Sequence, residues 1–298
     1  MRVLIAGASG LIGQELVAQL RAVGDEPLAL VRRAPKNEGE ISWNPANGDL
    51  DPDVIAGIDA VVNLSGASIG KLPWSTSYQT ELVNSRLNAT RTLVSAINRA
   101  TTMPSVFISG SASGYYGDAG DAVLDESAKV GSGFLAELCA SWESEAEKLD
   151  ASVRLVKIRT AVVFSRRDGA LSRVLPLVKL GAGGPLGSGK QWWPWISSID
   201  EARAIVHLLH TDSARGAFNL CAPENATCGQ LIRALAHALH RPFWLPAPAF
   251  ALRALLGKAA DEMLLSSQRM SSSKLEASGF RFTHASVTAV AQWVTGKK

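Results

Sequence analysis

The side chains best suited to proton transfer lie in one short stretch of the chain. Ser111, Tyr115 and Tyr116 belong to the segment Ser-Gly-Ser-Ala-Ser-Gly-Tyr-Tyr-Gly, which follows an apolar run typical of a strand. A serine hydroxyl can polarise a substrate oxygen, and a phenol can transfer a proton. A phenol with an ordinary pKa of about 10 needs a positive neighbour at neutral pH, and Arg159 and Lys190 are candidates. We interpret Ser111, Tyr115 and Tyr116 as candidate catalytic residues, with packing at the rim of a cofactor as the alternative for the two phenols.

A second stretch, at the start of the sequence, is typical of a dinucleotide site. Gly7, Gly10 and Gly13 separate a short apolar run from a helical apolar rhythm, so they occupy a strand-to-helix turn. Glycine lets the backbone approach a pyrophosphate, and the helix N-terminus directs its positive dipole at the negative charge. The spacing differs from the standard Gly-x-Gly-x-x-Gly fingerprint. The predicted cofactor contacts in this turn are Gly7, Ser9, Gly10, Leu11, Ile12 and Gly13.

The end of the second predicted strand indicates which dinucleotide binds. The apolar residues 27–31 are followed by Arg32 and Arg33, where an acidic residue would bond a ribose 2′-hydroxyl. Arginines at this place accommodate a 2′-phosphate, so we expect NADP(H). The alternative is that both arginines are only solvated at a strand end.

Strands and helices alternate through the first half of the sequence. Residues 58–64, 105–109 and 153–158 are apolar runs that predict buried strands, and residues 77–99 and 132–149 predict long helices. Such alternation predicts an α/β fold with a doubly wound parallel sheet, of the Rossmann type.

Residues that follow the strands lie in the ligand crevice of such a sheet, at its carboxyl edge. The further cofactor contacts predicted there are Leu64, Ser65, Gly66, Ser109 and Arg159. We expect the nucleotide-binding domain to span residues 1–220 and a smaller, mostly helical C-terminal lobe to span residues 221–298. Residues 165–195 are expected to contribute to the substrate lobe. In that segment a glycine-rich loop precedes Trp192, Trp193 and Trp195, which either carry function or seal the second lobe against the first.

Composition excludes several classes of protein. The formal net charge is +3 with no long basic run, so nucleic acid is not an expected partner. Three cysteines without a CxxC pair fit a reducing compartment, and no apolar segment reaches the length of a membrane span. We therefore expect a cytoplasmic protein without a membrane partner. The histidine pairs at 207 and 210 and at 237 and 240 have helical spacing but no third ligand nearby, so we expect no metal site.

Several segments together resemble an extended short-chain dehydrogenase/reductase, and within that group an epimerase-like family with a small C-terminal domain of unassigned function. The segments that carry the resemblance are the glycine turn at 7–13, Asn63-Leu64-Ser65-Gly66, Trp74, Asn84-Ser85-Arg86, the 111–117 segment, the 183–191 segment, Arg241-Pro242 and the 274–280 segment. The resemblance implies NADP(H) binding, with Arg32, Leu64, Ser65, Glu81 and Arg86 as cofactor contacts. It also implies a homodimer through the helices near 77–99 and 132–149.

The chain departs from that group at the catalytic residues. The superfamily enzymes use a tyrosine with a lysine four residues later, and no Tyr-x-x-x-Lys exists in this sequence, where Phe134 and Leu138 occupy about those places. Ser197 replaces a common histidine, and Ala161 replaces a common glycine. Two hypotheses stay open: an NADP(H)-dependent oxidoreductase or epimerase-like enzyme for an unknown small molecule, or a non-catalytic NADP(H)-sensing regulator that acts through a protein partner in cell division.

Overall fold

A parallel sheet of seven strands forms the centre of the molecule, in the order β10-β7-β5-β4-β1-β2-β3. The computed structural model describes residues 1–167, 169 and 171–296. Its strands are β1 (Arg2–Ala6), β2 (Glu26–Val31), β3 (Glu40–Ser42), β4 (Ala60–Asn63), β5 (Val106–Ala112), β6 (Val123–Leu124), β7 (Arg154–Thr160), β8 (Val162–Phe164), β9 (Trp195–Ser197), β10 (Gly216–Leu220) and β11 (Arg269–Met270).

The strand order places a crevice beside β1. Strand β1 pairs with β2 on one side and with β4 on the other, so Ala6 lies between Leu30 and Asn63. The chain leaves β1 toward one edge of the sheet and later returns to build the other edge. Because every pair in this sheet is parallel, the loops after β1, β2, β4, β5 and β7 meet at the same carboxyl edge. The predicted doubly wound fold is confirmed.

Helices cover both faces of the sheet. They are α1 (Leu11–Ala22), α2 (Thr76–Arg99), α3 (Phe134–Ala146), α4 (Leu171–Lys179), α5 (Ser198–Leu209), α6 (Cys228–Ala238), α7 (Ala249–Leu256), α8 (Lys258–Ala260), α9 (Ser273–Ala277) and α10 (Val287–Thr295). Helices α1 and α5 pack together on one face, and α2 and α3 pack together on the other. Apolar strands such as β1, whose Val3, Leu4 and Ile5 are completely buried, provide the apolar surface for both layers.

The outer surface of α2 and α3 is polar. Arg91 on α2 forms an ion pair with Glu145 on α3 at 2.9 Å, and Lys148 bonds the same carboxylate at 2.9 Å. Asn98 donates to the Lys148 carbonyl at 2.9 Å. The dimer predicted through these helices stays a prediction.

A separate apolar core forms the second lobe. It joins Trp193 and Trp195 to α4, α6 and α10. Both indoles are thus part of the interior of that lobe, whereas the Trp192 Nε1 donates to Asp121 at 2.8 Å. None of the helices in the described ranges is long and apolar enough to cross a membrane.

Two differences from the predicted elements bear on the site. Strand β5 continues to Ala112, beyond the predicted end at 109, so Ser111 lies within a strand opposite Arg159 on β7. After the second lobe, β11 returns to pair with β6, and Met270 joins the core of the first lobe. The chain therefore crosses between the lobes again after residue 220, the predicted boundary.

Candidate cofactor and active site

The glycine turn after β1 requires glycine at two of its three positions. Gly7 has φ +91°, and a Cβ there would lie 2.8 Å from the Leu64 carbonyl carbon. A Cβ on Gly13 would lie 2.2 Å from the Gly7 carbonyl oxygen. The turn is closed by a hydrogen bond from the Gly10 N–H to the Gly7 carbonyl at 3.0 Å. The backbone of β1, the loop after β4 and the start of α1 are thus packed closer than any side chain allows.

The first turn of α1 presents polar hydrogens to this crevice. Gly10 is the N-cap residue and has no side chain to cap the helix. Within the described ranges, the N–H groups of Leu11, Ile12 and Gly13 have no hydrogen-bond acceptor. Unpaired N–H groups and the helix dipole together favour an anion at this place. Ser9 is exposed beside them, and its carbonyl accepts from Gln14 Nε2 at 2.8 Å.

The two arginines after β2 have different surroundings. Arg33 binds both carboxylate oxygens of Glu40 at 2.7 Å, and this pairing lowers the pKa of Glu40 to about 2. The Arg32 side chain is exposed and has no acid or hydrogen-bond acceptor among the described residues. Both line a cavity of about 590 Å³ together with Trp43 and Asp51. Arg32 is therefore the arginine that is available to an incoming phosphate.

The loop after β4 lies against a cation that has no acidic partner. A Cβ on Gly66 would lie 2.9 Å from the Arg86 guanidinium carbon. Arg86 donates to the Leu82 carbonyl at 3.1 Å and stacks on Trp142 at 5.4 Å, and burial lowers its pKa. No carboxylate in the described part of the chain pairs with it. Leu64 and Ser65 are half-buried in the same loop, and the predicted contact Glu81 is exposed on α2.

The predicted catalytic serine is bonded inside the protein. The Ser111 hydroxyl donates to Glu143 Oε1 at 2.7 Å. Arg159 binds the two oxygens of the same carboxylate at 2.8 and 3.1 Å. Burial raises the pKa of Glu143, but its bonds to Arg159 and Ser111 lower that pKa more, below the ordinary value. The carboxylate is therefore ionised, and the Ser111 hydroxyl directs its proton at Glu143.

The two phenols predicted as catalytic have different surroundings. The Tyr116 hydroxyl is buried, donates to Asn219 Oδ1 at 2.7 Å and accepts from Arg159 Nη1 at 3.0 Å. Burial raises its pKa to about 12 despite the nearby guanidinium. Tyr115 is half-buried, and its ring lies 3.5 Å beneath the Arg159 guanidinium carbon. Its hydroxyl has no hydrogen-bond partner among the residues that the structure describes.

Some predicted contacts do not face the crevice. Ser109 is completely buried, and its hydroxyl donates to the Gly110 carbonyl at 3.3 Å, so its side chain does not contact a cofactor. Arg159 is 3 % exposed because Glu143 and the phenols occupy its guanidinium, so it too is not placed as a direct cofactor contact. It is instead the positive neighbour of Tyr115 and Tyr116, whereas Lys190 is exposed and contacts neither.

An apolar wall stands where the superfamily enzymes carry their proton-transfer pair. Phe134 begins α3 and packs edge-on against Trp74 with ring centroids 5.7 Å apart. Leu138 is buried beside Tyr78 and Leu82 on α2. The N-terminal N–H groups of Phe134 and Leu135 donate to Glu262, which holds the C-terminal lobe against this wall.

The sequence analysis missed two residues of the polar network, Glu143 and Asn219. Glu143 lies on α3 among buried residues, and an acid beside the apolar positions of a helix was the available signal, which it shares with Glu145. Asn219 is buried at the end of β10 and donates to the Leu124 and Ser271 carbonyls. Its pairing with Tyr116 joins residues 103 positions apart, and no local pattern indicates such a contact.

The histidines and cysteines have structural partners. The His207 ring contacts Ser278 Oγ at 2.9 Å, and the His210 ring contacts Asp25 at 2.8 Å. Cys139, Cys221 and Cys228 are buried and unpaired. In the described ranges, no three His, Cys, Asp or Glu side chains come together as metal ligands.

The sheet order, the glycine turn and the crevice at the carboxyl edge define a Rossmann-type nucleotide-binding protein of the extended short-chain dehydrogenase/reductase class. Residues 3–221 match the model of the NAD dependent epimerase/dehydratase family, and residues 247–294 match a domain of unknown function (DUF1731). The chain belongs to the NAD dependent epimerase/dehydratase family.

Similar proteins share nearly the whole chain. An epimerase family protein of Mycobacterium leprae is 41 % identical over 294 residues, which are 98 % of this chain and 95 % of the relative. A crystal structure of human epimerase family protein SDR39U1 with NADPH is 31 % identical, with a TM-score of 0.93 and complete coverage of both chains. A nucleoside-diphosphate sugar epimerase from Corynebacterium glutamicum is 30 % identical with a TM-score of 0.80, covering 98 % of this chain and 57 % of that one.

Proposed function

We propose that the chain binds NADP(H) in the crevice beside β1 and acts there on a small molecule as an oxidoreductase or epimerase-like enzyme. The observation that carries the proposal is the cradle at Gly7 and Gly13, where a Cβ would collide with the backbone, next to Arg32, which has no partner among the described residues. The similar human structure with NADPH supports the same assignment.

The residues present fit the parts of the cofactor. The N–H groups of Leu11, Ile12 and Gly13 bind the pyrophosphate, which matches their lack of other acceptors. Arg32 binds the 2′-phosphate. Arg33 is oriented by Glu40 and provides a wall of the adjoining cavity. When bound, the nicotinamide supplies or accepts a hydride.

Tyr115 is our candidate for the proton that accompanies the hydride. Of the two phenols, Tyr115 is the one whose hydroxyl has no internal partner in the described chain, and the Arg159 guanidinium stacks on its ring at 3.5 Å. Tyr116 and Ser111 position Arg159 and Glu143 instead of contacting substrate. In this assignment Glu143 fixes the guanidinium, and the guanidinium fixes Tyr115.

A non-catalytic NADP(H)-sensing regulator, with a protein partner in cell division, is the second candidate. Two observations favour it. Phe134 and Leu138 are apolar side chains at the place where the superfamily enzymes carry a proton-transferring pair. The Ser111 hydroxyl, in addition, donates to Glu143. In that case the crevice binds the cofactor, and its occupancy is reported through a surface.

The first test is a fluorescence titration of the full chain with NADPH and NADH, followed by a screen for cofactor oxidation against aldehydes, quinones and sugar nucleotides. We expect tight NADPH binding and turnover of one of these classes. Tyr115→Phe should reduce turnover at least tenfold without changing NADPH affinity. Tyr116→Phe is the comparison: Arg159 loses one bond but keeps its two bonds to Glu143, so this variant should lose less activity than Tyr115→Phe.

The outcomes separate the two candidates. Tight NADPH binding without any turnover favours the regulator, for which Tyr115→Phe has no effect and Arg32→Ala weakens partner binding. Weak binding of both dinucleotides contradicts both candidates, because each depends on the cradle.

A further inference from the structure

Large apolar side chains of the second lobe are exposed. They belong to the end of α4, to the loop before α7 and to α7 itself. Their exposed fractions are 54 % for Leu177, 82 % for Leu180, 66 % for Trp244, 45 % for Leu245, 74 % for Phe250 and 75 % for Leu255. We call these six residues the α4–α7 surface. Helix α7 contains no buried residue, so its apolar side chains do not contribute to a core.

Backbone contacts hold the two segments of this surface together. The Trp244 N–H donates to the Gly183 carbonyl at 2.9 Å, and its indole Nε1 donates to the Gly181 carbonyl at 3.0 Å. A Cβ on Gly184 would lie 1.8 Å from the Leu245 carbonyl oxygen, so the two loops touch through their backbones. The loop after α4 and the loop before α7 are therefore held against each other by backbone contacts.

The same segments carry basic residues and no acidic ones. Residues 171–199 contain three Lys or Arg and no Asp or Glu, and residues 225–260 contain four and none. Lys179 is next to Leu180 in the chain, and the Arg233 guanidinium lies 4.9 Å over the Phe243 ring. Asp261 is the first acid beyond α7 and pairs with Arg253 at 2.9 Å. Arg253 is thus neutralised, whereas Lys179, Arg233 and Arg241 have no acidic partner among the described residues and flank the apolar segments in the sequence.

This charge argues for an anionic occupant instead of a second copy of the chain. A two-fold dimer brings a surface against itself, so Lys179, Arg233 and Arg241 would face a surface of the same charge on the partner. Apolar side chains that project singly, flanked by Lys and Arg, match the interfacial zone of a bilayer, where acyl chains meet anionic headgroups. The Trp244 N–H already has its acceptor within the protein, so the ring can enter that zone without losing a hydrogen bond.

We propose that the α4–α7 surface binds an anionic phospholipid membrane. Phe250, Leu255, Leu180 and Trp244 enter the acyl boundary, and the neighbouring Lys and Arg side chains contact headgroups. The sequence prediction of no membrane partner was based on the lack of a spanning segment, and a surface of this kind needs none. The proposal is independent of cofactor binding, although the Arg173 contact to the Gly70 carbonyl at 2.6 Å places α4 beside the cofactor crevice.

The test is co-sedimentation of the purified full chain with vesicles of phosphatidylcholine alone or of phosphatidylcholine mixed with phosphatidylglycerol. We expect binding to the mixed vesicles and at least tenfold weaker binding to the neutral ones. The double variant Phe250→Ser and Leu255→Ser should lose at least tenfold in binding. Lys179→Gln and Arg241→Gln should each lose roughly fivefold, and added salt should weaken binding of the unchanged protein.

Matched controls lie on the nucleotide-binding lobe. Val23→Ser and Val123→Ser remove exposed apolar side chains outside the surface and should leave vesicle binding unchanged. All variants should keep the melting temperature and NADPH affinity of the parent. Equal binding to both vesicle types, or equal loss in the control variants, would overturn the proposal. So would a dimer in sedimentation velocity that the Phe250→Ser and Leu255→Ser changes convert to a monomer, or binding to an acidic polypeptide without binding to vesicles.

Discussion

On the β1 and β2 side of the crevice, Arg32 and the N–H groups at the start of α1 have no partners in the described chain. On the β5 and β7 side, Ser111 bonds to Glu143 and Tyr116 bonds to Asn219. The first side is a set of positive groups that await an anion. The second side is a closed network, in which each polar group has a partner inside the protein. The difference indicates that the fold presents an anion site on the first side, whereas on the second side the Tyr115 hydroxyl lies outside the network and, in our proposal, transfers the proton.

The closed network also explains why these polar residues are tolerated in the interior. A buried carboxylate and a buried guanidinium each lose their hydration, and the loss is offset only where geometry and further hydrogen bonds are good. Glu143 meets that condition with Arg159, with Ser111 and with Lys157 at 3.2 Å. The network is a rigid support for the carboxyl ends of β5 and β7.

The largest expected effect comes from opening the closed network. Glu143→Ala leaves the Arg159 guanidinium buried without its carboxylate, and we expect the free energy of unfolding to fall by about 3–5 kcal/mol. Urea denaturation at neutral pH measures the change. Glu137→Ala, at an exposed position of α3 where the carboxylate has no partner in the described chain, is the control and should change stability by less than about 0.5 kcal/mol.

The same pair predicts a pH dependence. The folded-state pKa of Glu143 lies below its ordinary value of 4.5. Its contribution is therefore fully present above the unfolded pKa and is lost as the pH falls through the folded one. The difference in the free energy of unfolding between the parent and Glu143→Ala should become smaller below pH 4.5. A difference that stays constant down to acidic pH would mean that charge pairing is not what stabilises this side.

The β1 and β2 side of the crevice is tested by adding a side chain to its glycine turn. In Gly13→Ala the new Cβ would lie 2.2 Å from the Gly7 carbonyl oxygen, so the turn must shift. We expect a cost of about 1–3 kcal/mol in stability and a loss of NADPH affinity of at least tenfold. In Gly70→Ala the nearest atom is the Ser68 Oγ at 3.5 Å, so this control should fold normally. Unchanged NADPH affinity in Gly13→Ala would show that the turn is not the pyrophosphate site.

The two sides also differ in how far the sequence predicts them. Gly7, Gly13 and Arg32 belong to a local pattern, since a strand, a glycine turn and a strand end lie within the first 33 residues. Apolar runs and helical periodicity likewise predict the strands and helices of the central sheet, because the pattern of each element lies within one contiguous segment. The parallel order was predictable because alternating strands and helices permit few arrangements.

The closed side was not predictable because its contacts are non-local. Ser111, Glu143, Arg159 and Asn219 come from four elements, and only the folded sheet brings them together. Sequence reasoning treated Tyr115 and Tyr116 as equivalent neighbours. Their difference arises from a short 3₁₀ turn at residues 113–116 that buries one phenol and leaves the other half-exposed.

A smaller effect is expected from removing Arg32, the cation on the β1 and β2 side of the crevice. Arg32→Ala should weaken NADPH binding by about 2 kcal/mol and leave NADH binding nearly unchanged, because the charge-assisted contact is made only to the 2′-phosphate. Isothermal titration with both dinucleotides measures the split. Arg33→Ala should cost less, since Arg33 is paired with Glu40 at 2.7 Å. Equal losses for NADPH and NADH in Arg32→Ala would remove the 2′-phosphate from this assignment.

A further effect, which depends on pH, concerns a buried carboxyl group beneath the β5 and β7 side of the crevice. Glu201 on α5 is completely buried, accepts from Thr160 Oγ1 at 2.7 Å, and has a second oxygen without a partner in the described chain. Burial raises its pKa to about 8, from an ordinary value of 4.5. In the folded state the group is neutral at pH 7, whereas in the unfolded state it is ionised. Its contribution to stability is thus fully present below the unfolded pKa and decreases as the pH rises toward the folded one.

Glu201→Gln keeps the oxygen that accepts from Thr160 and cannot ionise. We expect the parent to lose about 3–4 kcal/mol relative to this variant between pH 5 and pH 8, with little further change above that range. Thermal melting of both proteins across this pH range measures the slope. Glu137→Gln, on the exposed surface of α3, is the control and should follow the parent at every pH. Parallel curves for the parent and Glu201→Gln would mean that Glu201 ionises normally, and that water or a cation reaches it through the end of β7. The closed side would then be open to solvent from below, which removes the contrast with the β1 and β2 side.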